Sequence, residues 1–427
     1  MTASRLVVPR VCDGAADADT VAWLRALGAA FLSPALDPGV AGRAAAQLRG
    51  DRLRGVYEPG DPLPVATLRS WDARMTLPGG DVAVDAVASI GVRWTHRRRG
   101  LLRSVLADDL AAAADAGTPV AALTSTQGPL YERFGFGLAT WTRTVTVDTG
   151  SVRWRDAAVA GSLSTVRPEE FPDLAAAVAE RARRRHPGSL SRAGKLWRPL
   201  ATGETPYSAM TPDRSRHLGV WRDDEGRPAG YVVHRVAEDW AASASGRASL
   251  AVLDLQATTP ASYRELWRHL CANDLVGSVR WSNASVDEPL PWLLTDHRAV
   301  ELGAAREMLW LRLLDVPAAL TARRYPVTDR FRLRVLDDAS PEWGFGAGGR
   351  FLLDTSDPVA PVVERLGPGA DVDAVAPVAA LGSMYLGGAD PRVLARTDRL
   401  EEVTPGAAGR LARLLAAPSV PWNGVRF

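Results

Sequence analysis

Arg97-Arg98-Arg99-Gly100 is a run of three cations and a glycine set between an apolar stretch, residues 82–92, and the start of a helix. A strand, a basic glycine turn and a helix N-terminus, in that order, can aim several backbone N–H groups at a pyrophosphate. Three positive charges at the positive end of a helix are unfavourable by themselves and become favourable once an anion arrives. The helix is well specified. Leu101, Leu102, Val105, Leu106 and Leu110 share one face, with Arg103, Asp108 and Asp109 outside it. Gly117 and Pro119 end it, and residues 120–123 read as the return strand of a right-handed βαβ unit. Beyond that strand stand the polar pair Thr126 and Gln127, then Tyr131. An unperturbed phenol, with a pKa of about 10, keeps its proton at neutral pH and can donate it.

These residues resemble the acyl-CoA motif of the GCN5-related N-acetyltransferases (GNAT), Arg/Gln-x-x-Gly-x-Gly/Ala after a fourth strand. The match is Arg97-x-x-Gly100, with Leu102 in place of the last small residue. The longer string His96-Arg97-Arg98-Arg99-Gly100-Leu101-Leu102-Arg103 is closer to one branch, the enhanced-intracellular-survival (Eis) acetyltransferases. So are Tyr131-x-Arg133-Phe134-Gly135-Phe136-Gly137 and the final Phe427.

The resemblance implies a site. Arg97, Arg98, Arg99 and Gly100 would cradle the acetyl-CoA pyrophosphate, continued by Leu101, Leu102 and Arg103. The main chain of Ile90, Gly91 and Val92 would meet the pantetheine amides, and Thr126 and Gln127 would add contacts. Tyr131 would be the general acid that protonates the departing thiolate, and the Phe427 α-carboxylate the general base. Trp422 and Val425 could bury that tail. Polycation-acetylating relatives line the acceptor pocket with acidic groups and aromatics, whereas this chain has Arg426 next to the end and Ser89 on the long strand. Both changes disfavour a stacked polycation.

Composition bounds the rest. The chain has 427 residues, enough for two to four domains, and its 51 basic and 49 acidic residues nearly cancel. That balance gives no drive toward nucleic acid or an anionic membrane. Cys12 and Cys271 are too few and too distant for a disulfide framework, and His96, His186, His217, His234, His269 and His297 show no ligand spacing, so no metal is expected. Neither a signal-peptide core nor a membrane span is legible. A reducing cytoplasm is the default compartment.

The elements divide into three expected units. Residues 1–150 open with a helix over 19–31, carry the βαβ core and close with an alternating strand over 141–147. Residues 151–314 repeat the order helix, hairpin (217–221 and 230–236), long strand (249–256), helix (263–270). Between that strand and helix, residues 257–264 contain neither a glycine nor an arginine cluster. Without a glycine the backbone cannot readily approach a pyrophosphate, so this copy reads as structural. Residues 315–427 combine an alternating strand over 330–335, a turn cluster at 344–349 and an apolar run at 375–381. They resemble the sterol-carrier-type domain that ends Eis proteins.

The fold class is thus α/β (α+β): tandem GNAT-like domains with mixed sheets, then a sterol-carrier-like domain. The resemblance implies a homohexameric, acetyl-CoA-dependent N-acetyltransferase acting on aminoglycosides or other small polyamines. The rival reading is a lipid- or sterol-binding protein with a vestigial acetyltransferase part.

Overall fold

The computed structural model describes residues 6–33, 38–125, 127–204, 213–238, 247–338 and 346–427. They gather into two compact units. The first begins β1 (Leu6–Val11), α1 (Ala18–Ala30), α2 (Pro38–Ala46), β2 (Arg52–Tyr57), β3 (Ala66–Leu77), β4 (Gly80–Val92), α3 (Leu101–Asp115), β5 (Val120–Thr124), α4 (Pro129–Glu132) and β6 (Gly137–Leu138). The second contains β7 (Trp141–Asp148), β8 (Ser162–Thr165), α5 (Phe171–Arg183), α6 (Trp197–Thr202), β9 (Arg216–Arg222), β10 (Pro228–Glu238), β11 (Ala248–Ala257), α7 (Pro260–Cys271), β12 (Val276–Ala284), α8 (Leu290–Leu293) and β13 (Val300–Glu307). The chain then returns to the first unit as β14 (Leu309–Leu313), α9 (Val316–Thr321), β15 (Arg330–Leu336), β16 (Gly349–Asp354), β17 (Val362–Leu366), β18 (Ala374–Pro377), α10 (Val378–Met384), α11 (Pro391–Ala395), β19 (Glu401–Glu402) and α12 (Ala407–Leu414).

In the first unit a seven-stranded sheet runs β1-β2-β3-β4-β5-β14-β6. Its parallel pair, β4 and β5, is joined through α3 as the βαβ reading requires. Leu101, Val105, Leu106 and Leu110 of α3 pack on Val56, Leu68, Val87, Leu123 and Phe136. Asp109 departs from the expected pattern: it is buried, accepting from the Arg54 Nε at 2.6 Å and the Ser70 hydroxyl at 2.8 Å. Arg54 also takes Asp108 at 2.5 Å, so one buried guanidinium on β2 fastens α3 to the sheet. Charge at helix spacing can face inward when its counter-ion sits on a neighbouring strand. Close by, the Asp85 carboxyl is pushed well above the usual range by burial and by Asp109.

Two strands sit in a different sheet from the one expected. Trp141–Asp148 does not close the first sheet. It pairs with β12 in the second, whose order is β13-β7-β12-β11-β10-β9-β8, with Val145 opposite Trp281. Leu309–Leu313 instead enters the first sheet between β5 and β6, with Leu311 opposite Ala122. Alternation fixes which face of a strand is buried and says nothing about its neighbour.

Residues 315–427 pack with the first unit. Their five-stranded sheet runs β17-β16-β15-β18-β19. The apolar run 375–381 splits into β18 and the buried helix α10. A Cβ on Gly137 would collide with the Ala379 carbonyl, and one on Gly382 with the Leu311 carbonyl, so α10 meets β6 and β14 backbone to backbone. Gly344 and Phe345 of the expected turn lie outside the described residues.

Candidate active site

β4 pairs with β3 in regular antiparallel register except at one bulge. Gly91 lies opposite Thr67 and Ala88 opposite Arg69, leaving Ser89 and Ile90 facing Leu68 alone. Ser89 takes up the extra residue in a left-handed conformation, φ 53°. On its other side β4 pairs with β5 only from Val84 and Val120 to Val87 and Leu123. Beyond that point the two strands part. Ile90, Gly91 and Val92 therefore keep β3 on one side and, among the described residues, have no strand on the other. Such an edge can bond an amide-bearing chain.

The basic turn begins where β4 ends. Arg93 pairs with Asp61 at 2.5 Å. Glu58 accepts from the His96 Nε2 at 3.2 Å and from Arg99 at 3.5 Å, and Arg97 reaches the Ala30 carbonyl, at the end of α1, at 3.5 Å. Arg98 and Gly100 are both left-handed, with φ 63° and 75°. Alternating handedness gathers successive N–H groups into an anion-binding concavity. Gly100 caps α3 with no side-chain hydrogen bond, so the first amides of the helix are left for an external acceptor. The structure brings Arg97, Arg98, Arg99 and Gly100 together in this turn, all exposed, with Arg103, the third residue of α3, also exposed. Leu101 is buried in the core and Leu102 half-buried against it, so both face the turn through their N–H groups only.

Thr126 lies outside the described residues. Gln127 is exposed, its N–H donating to the Ser125 hydroxyl at 2.8 Å. Tyr131, on α4, packs edge-on against Phe136 with ring centroids 6.2 Å apart. Burial raises its phenol to about 12, so it holds its proton at neutral pH. The following loop is fixed by buried Arg312, which donates to the Phe134 carbonyl at 2.8 Å and pairs with buried Asp337 at 2.7 Å. Any Cβ on Gly135, φ 79°, would strike that guanidinium, which accounts for a glycine inside Phe134-Gly135-Phe136. Glu132 is ion-paired with Arg399.

The tail does not fray. Trp422, Asn423 and Val425 are buried, and the Asn423 side chain bonds Val425 through both its amide groups, at 2.6 and 3.1 Å. Phe427 packs edge-on against Trp71 of β3, centroids 5.2 Å apart, and its main-chain oxygen accepts from the Thr124 hydroxyl at 2.6 Å. Thr124 is the first β5 residue beyond the last β4 pair. The tail thus ends where the strands part. Trp71 and Thr124 carry no motif and escaped sequence reasoning; the only hint was a hydroxyl directly after the apolar run 120–123.

Comparison with known proteins decides what this arrangement belongs to. Two models of an acetyltransferase (GNAT) domain match residues 13–139 and 188–313, and a sterol carrier protein domain matches 316–424. An uncharacterized N-acetyltransferase of Streptomyces griseus is 34% identical over 418 residues, 95% of this chain and 96% of that one. N-acetyltransferase Eis of Mycobacterium tuberculosis is 35% identical over 339 residues, 77% of each chain. The crystal structure of Eis1 from Mycobacterium abscessus superposes with a TM-score of 0.81 at 29% identity, over 99% of this chain and 100% of that one. The chain belongs to the Eis family of GNAT N-acetyltransferases. Enzymes with GNAT domains use acetyl-CoA, and the open strand edge, the left-handed turn and the uncapped helix of the first unit fit such a cosubstrate.

The second GNAT domain of this Eis-family chain is built on the same plan and finished differently. β11 and β12 pair in parallel from Ala248 and Val276 to Val252 and Trp281, then part. α7, however, starts at a Thr259–Ser262 capping box with Pro260 in its first turn. Its first donors are bonded internally. The half-buried Tyr263 of α7 donates its hydroxyl to buried Glu288, in the loop after β12. On β11, Asp254 is buried, taking Arg192 at 2.6 Å and the Tyr231 hydroxyl at 2.9 Å. Among the described residues of the whole chain no three His, Cys, Asp or Glu side chains could hold a metal ion, and no helix is long and apolar enough to cross a membrane.

Proposed function

We propose that the first unit transfers the acetyl group of acetyl-CoA directly to an amine of a polyamine-type small molecule, an aminoglycoside or a lysine-like or other amine. The observation that carries this reading is the anchored tail, which ends beside the parted strands with the Phe427 main-chain oxygen in the grip of Thr124.

Arg97, Arg98, Arg99 and Gly100, with the N–H groups of Leu101, Leu102 and Arg103, hold the pyrophosphate. The main chain of Ile90, Gly91 and Val92 orients the pantetheine arm, helped by Thr126 and Gln127. The acceptor nitrogen attacks the thioester carbonyl; a C–N bond forms and the C–S bond breaks. The nitrogen's proton passes to the Phe427 carboxylate as general base, and the Tyr131 hydroxyl delivers a proton to the departing sulfur. Burial keeps the Tyr131 phenol protonated at neutral pH; it also weakens it as an acid, so the transfer is driven by the charge developing on the leaving sulfur. Arg426 beside the tail and Ser89 on the long strand narrow the range of polycations accepted. Assembly as a hexamer in the cytoplasm follows the family pattern.

The test extends the chain. Appending a few residues turns the carboxylate of Phe427 into an amide. Turnover in a thiol-release assay with acetyl-CoA and a polyamine panel should then fall by roughly 10²–10⁴-fold, the scale of general acid–base catalysis, with acetyl-CoA affinity retained. Full activity in the extended protein would remove Phe427 from the mechanism.

A further inference from the structure

Thr124 has no place in the acyl-CoA motif, yet its hydroxyl donates to the main-chain oxygen of the tail's last residue. Its surroundings make it a rigid donor. The backbone of Thr124 pairs with Leu309 of β14, so it sits on an interior strand of the sheet rather than in a loop. Leu123 packs into the core beneath α3, which sends the Thr124 side chain to the opposite face. Trp71 lies on that same face, because its neighbour Ser70 turns the other way to bond Asp109 of α3. Phe427 is therefore held twice on one face: its ring by Trp71 at 5.2 Å and its main-chain oxygen by Thr124 at 2.6 Å.

We propose that Thr124 is a positioning residue for the Phe427 carboxylate. It engages one oxygen and so directs the lone pairs of the other toward the acceptor amine. The inference rests on the reading of Phe427 as the general base. It has two consequences. A hydroxyl donor stabilises the ionised carboxylate, so its removal raises the pH at which that carboxylate gains a proton. It also fixes the oxygen's direction, which proton transfer at short range requires.

The experiment compares Thr124→Val, which keeps the shape, with Thr124→Ser, which keeps the hydroxyl. Each is made in the native chain and in a C-terminally extended one, and kcat, KM and the pH profile are measured with acetyl-CoA and a polyamine acceptor. In the native chain Thr124→Val should lower kcat roughly tenfold to a hundredfold, the cost of a small misplacement. KM for acetyl-CoA should hold steady while the acid limb of the profile moves to higher pH. Thr124→Ser should recover most of the rate and the original limb. In the extended chain, already low in activity, Thr124→Val should add no further loss. An unshifted limb with native kcat in Thr124→Val overturns the inference while leaving Phe427 as base. So does a Ser variant as damaged as Val, or a full Val loss repeated in the extended chain. An extended chain of native activity overturns the base reading and the role of Thr124 with it.

Discussion

The chain carries two GNAT domains that share a long strand, a parted parallel neighbour and a helix between them, and they differ most at the helix start. α3 begins at Gly100 with φ 75° and no side-chain cap. α7 begins at Thr259 with a reciprocal capping box. A capped N-terminus is more stable by about 1 kcal/mol. An uncapped one behind three arginines gains stability when an anion binds. The first domain has left undone what the second has completed, and the omission is what a phosphate-bearing substrate requires. The tyrosines follow the same division. Tyr131 keeps a hydroxyl with no hydrogen-bond partner among the described residues, whereas the Tyr263 hydroxyl is committed to Glu288.

The tyrosines offer the largest contrast. Tyr131→Phe keeps the ring and its packing on Phe136 but removes the dissociable proton. Its kcat should fall by ~10²–10⁴-fold with acetyl-CoA affinity and thermal midpoint nearly unchanged. Tyr263→Phe should do the reverse. It strips a donor from a buried carboxyl and should cost about 1–3 kcal/mol of stability, with kcat intact. A Tyr131→Phe loss under fivefold would return Tyr131 to a packing role, and a Tyr263→Phe variant short of turnover would give the second domain a part in catalysis.

A smaller effect is read in the pH dependence of stability. Burial raises the Glu288 carboxyl from 4.5 to about 7. The folded protein then keeps a proton that the unfolded chain releases, so stability declines as pH rises through that window, by up to about 3 kcal/mol. Glu288→Gln, neutral throughout, should flatten the fall in thermal midpoint between pH 5 and 7. Buried Asp85 in the first unit contributes a decline of the same sign that this substitution leaves in place. An unchanged slope in Glu288→Gln would mean that Glu288 is ionised in the folded protein.

What could be read from the sequence was local. The turn Arg97-Arg98-Arg99-Gly100, the apolar face of the helix behind it and the Tyr131 segment each depend on residues within a few positions of one another. What could not be read depends on distant partners. β7 and β14 alternate or run apolar like any strand, and only tertiary pairing assigns each to its sheet. Asp109 reads as a surface acid until Arg54, on β2, is known to lie beneath it. The glycine contacts of α10 and the buried pair of Arg312 and Asp337 join segments far apart in the chain. Thr124 and Trp71 became site residues only when the tail was seen to end between them.

The proposed function needs one of the two GNAT domains open to the cosubstrate and the other closed by its own caps and hydrogen bonds. Isothermal titration of the full chain with acetyl-CoA tests it most directly. One site per chain is expected, with no measurable binding in Gly100→Glu, where a carboxylate would meet the pyrophosphate. Two sites per chain, or a Gly100→Glu variant that binds as the native protein does, would contradict it.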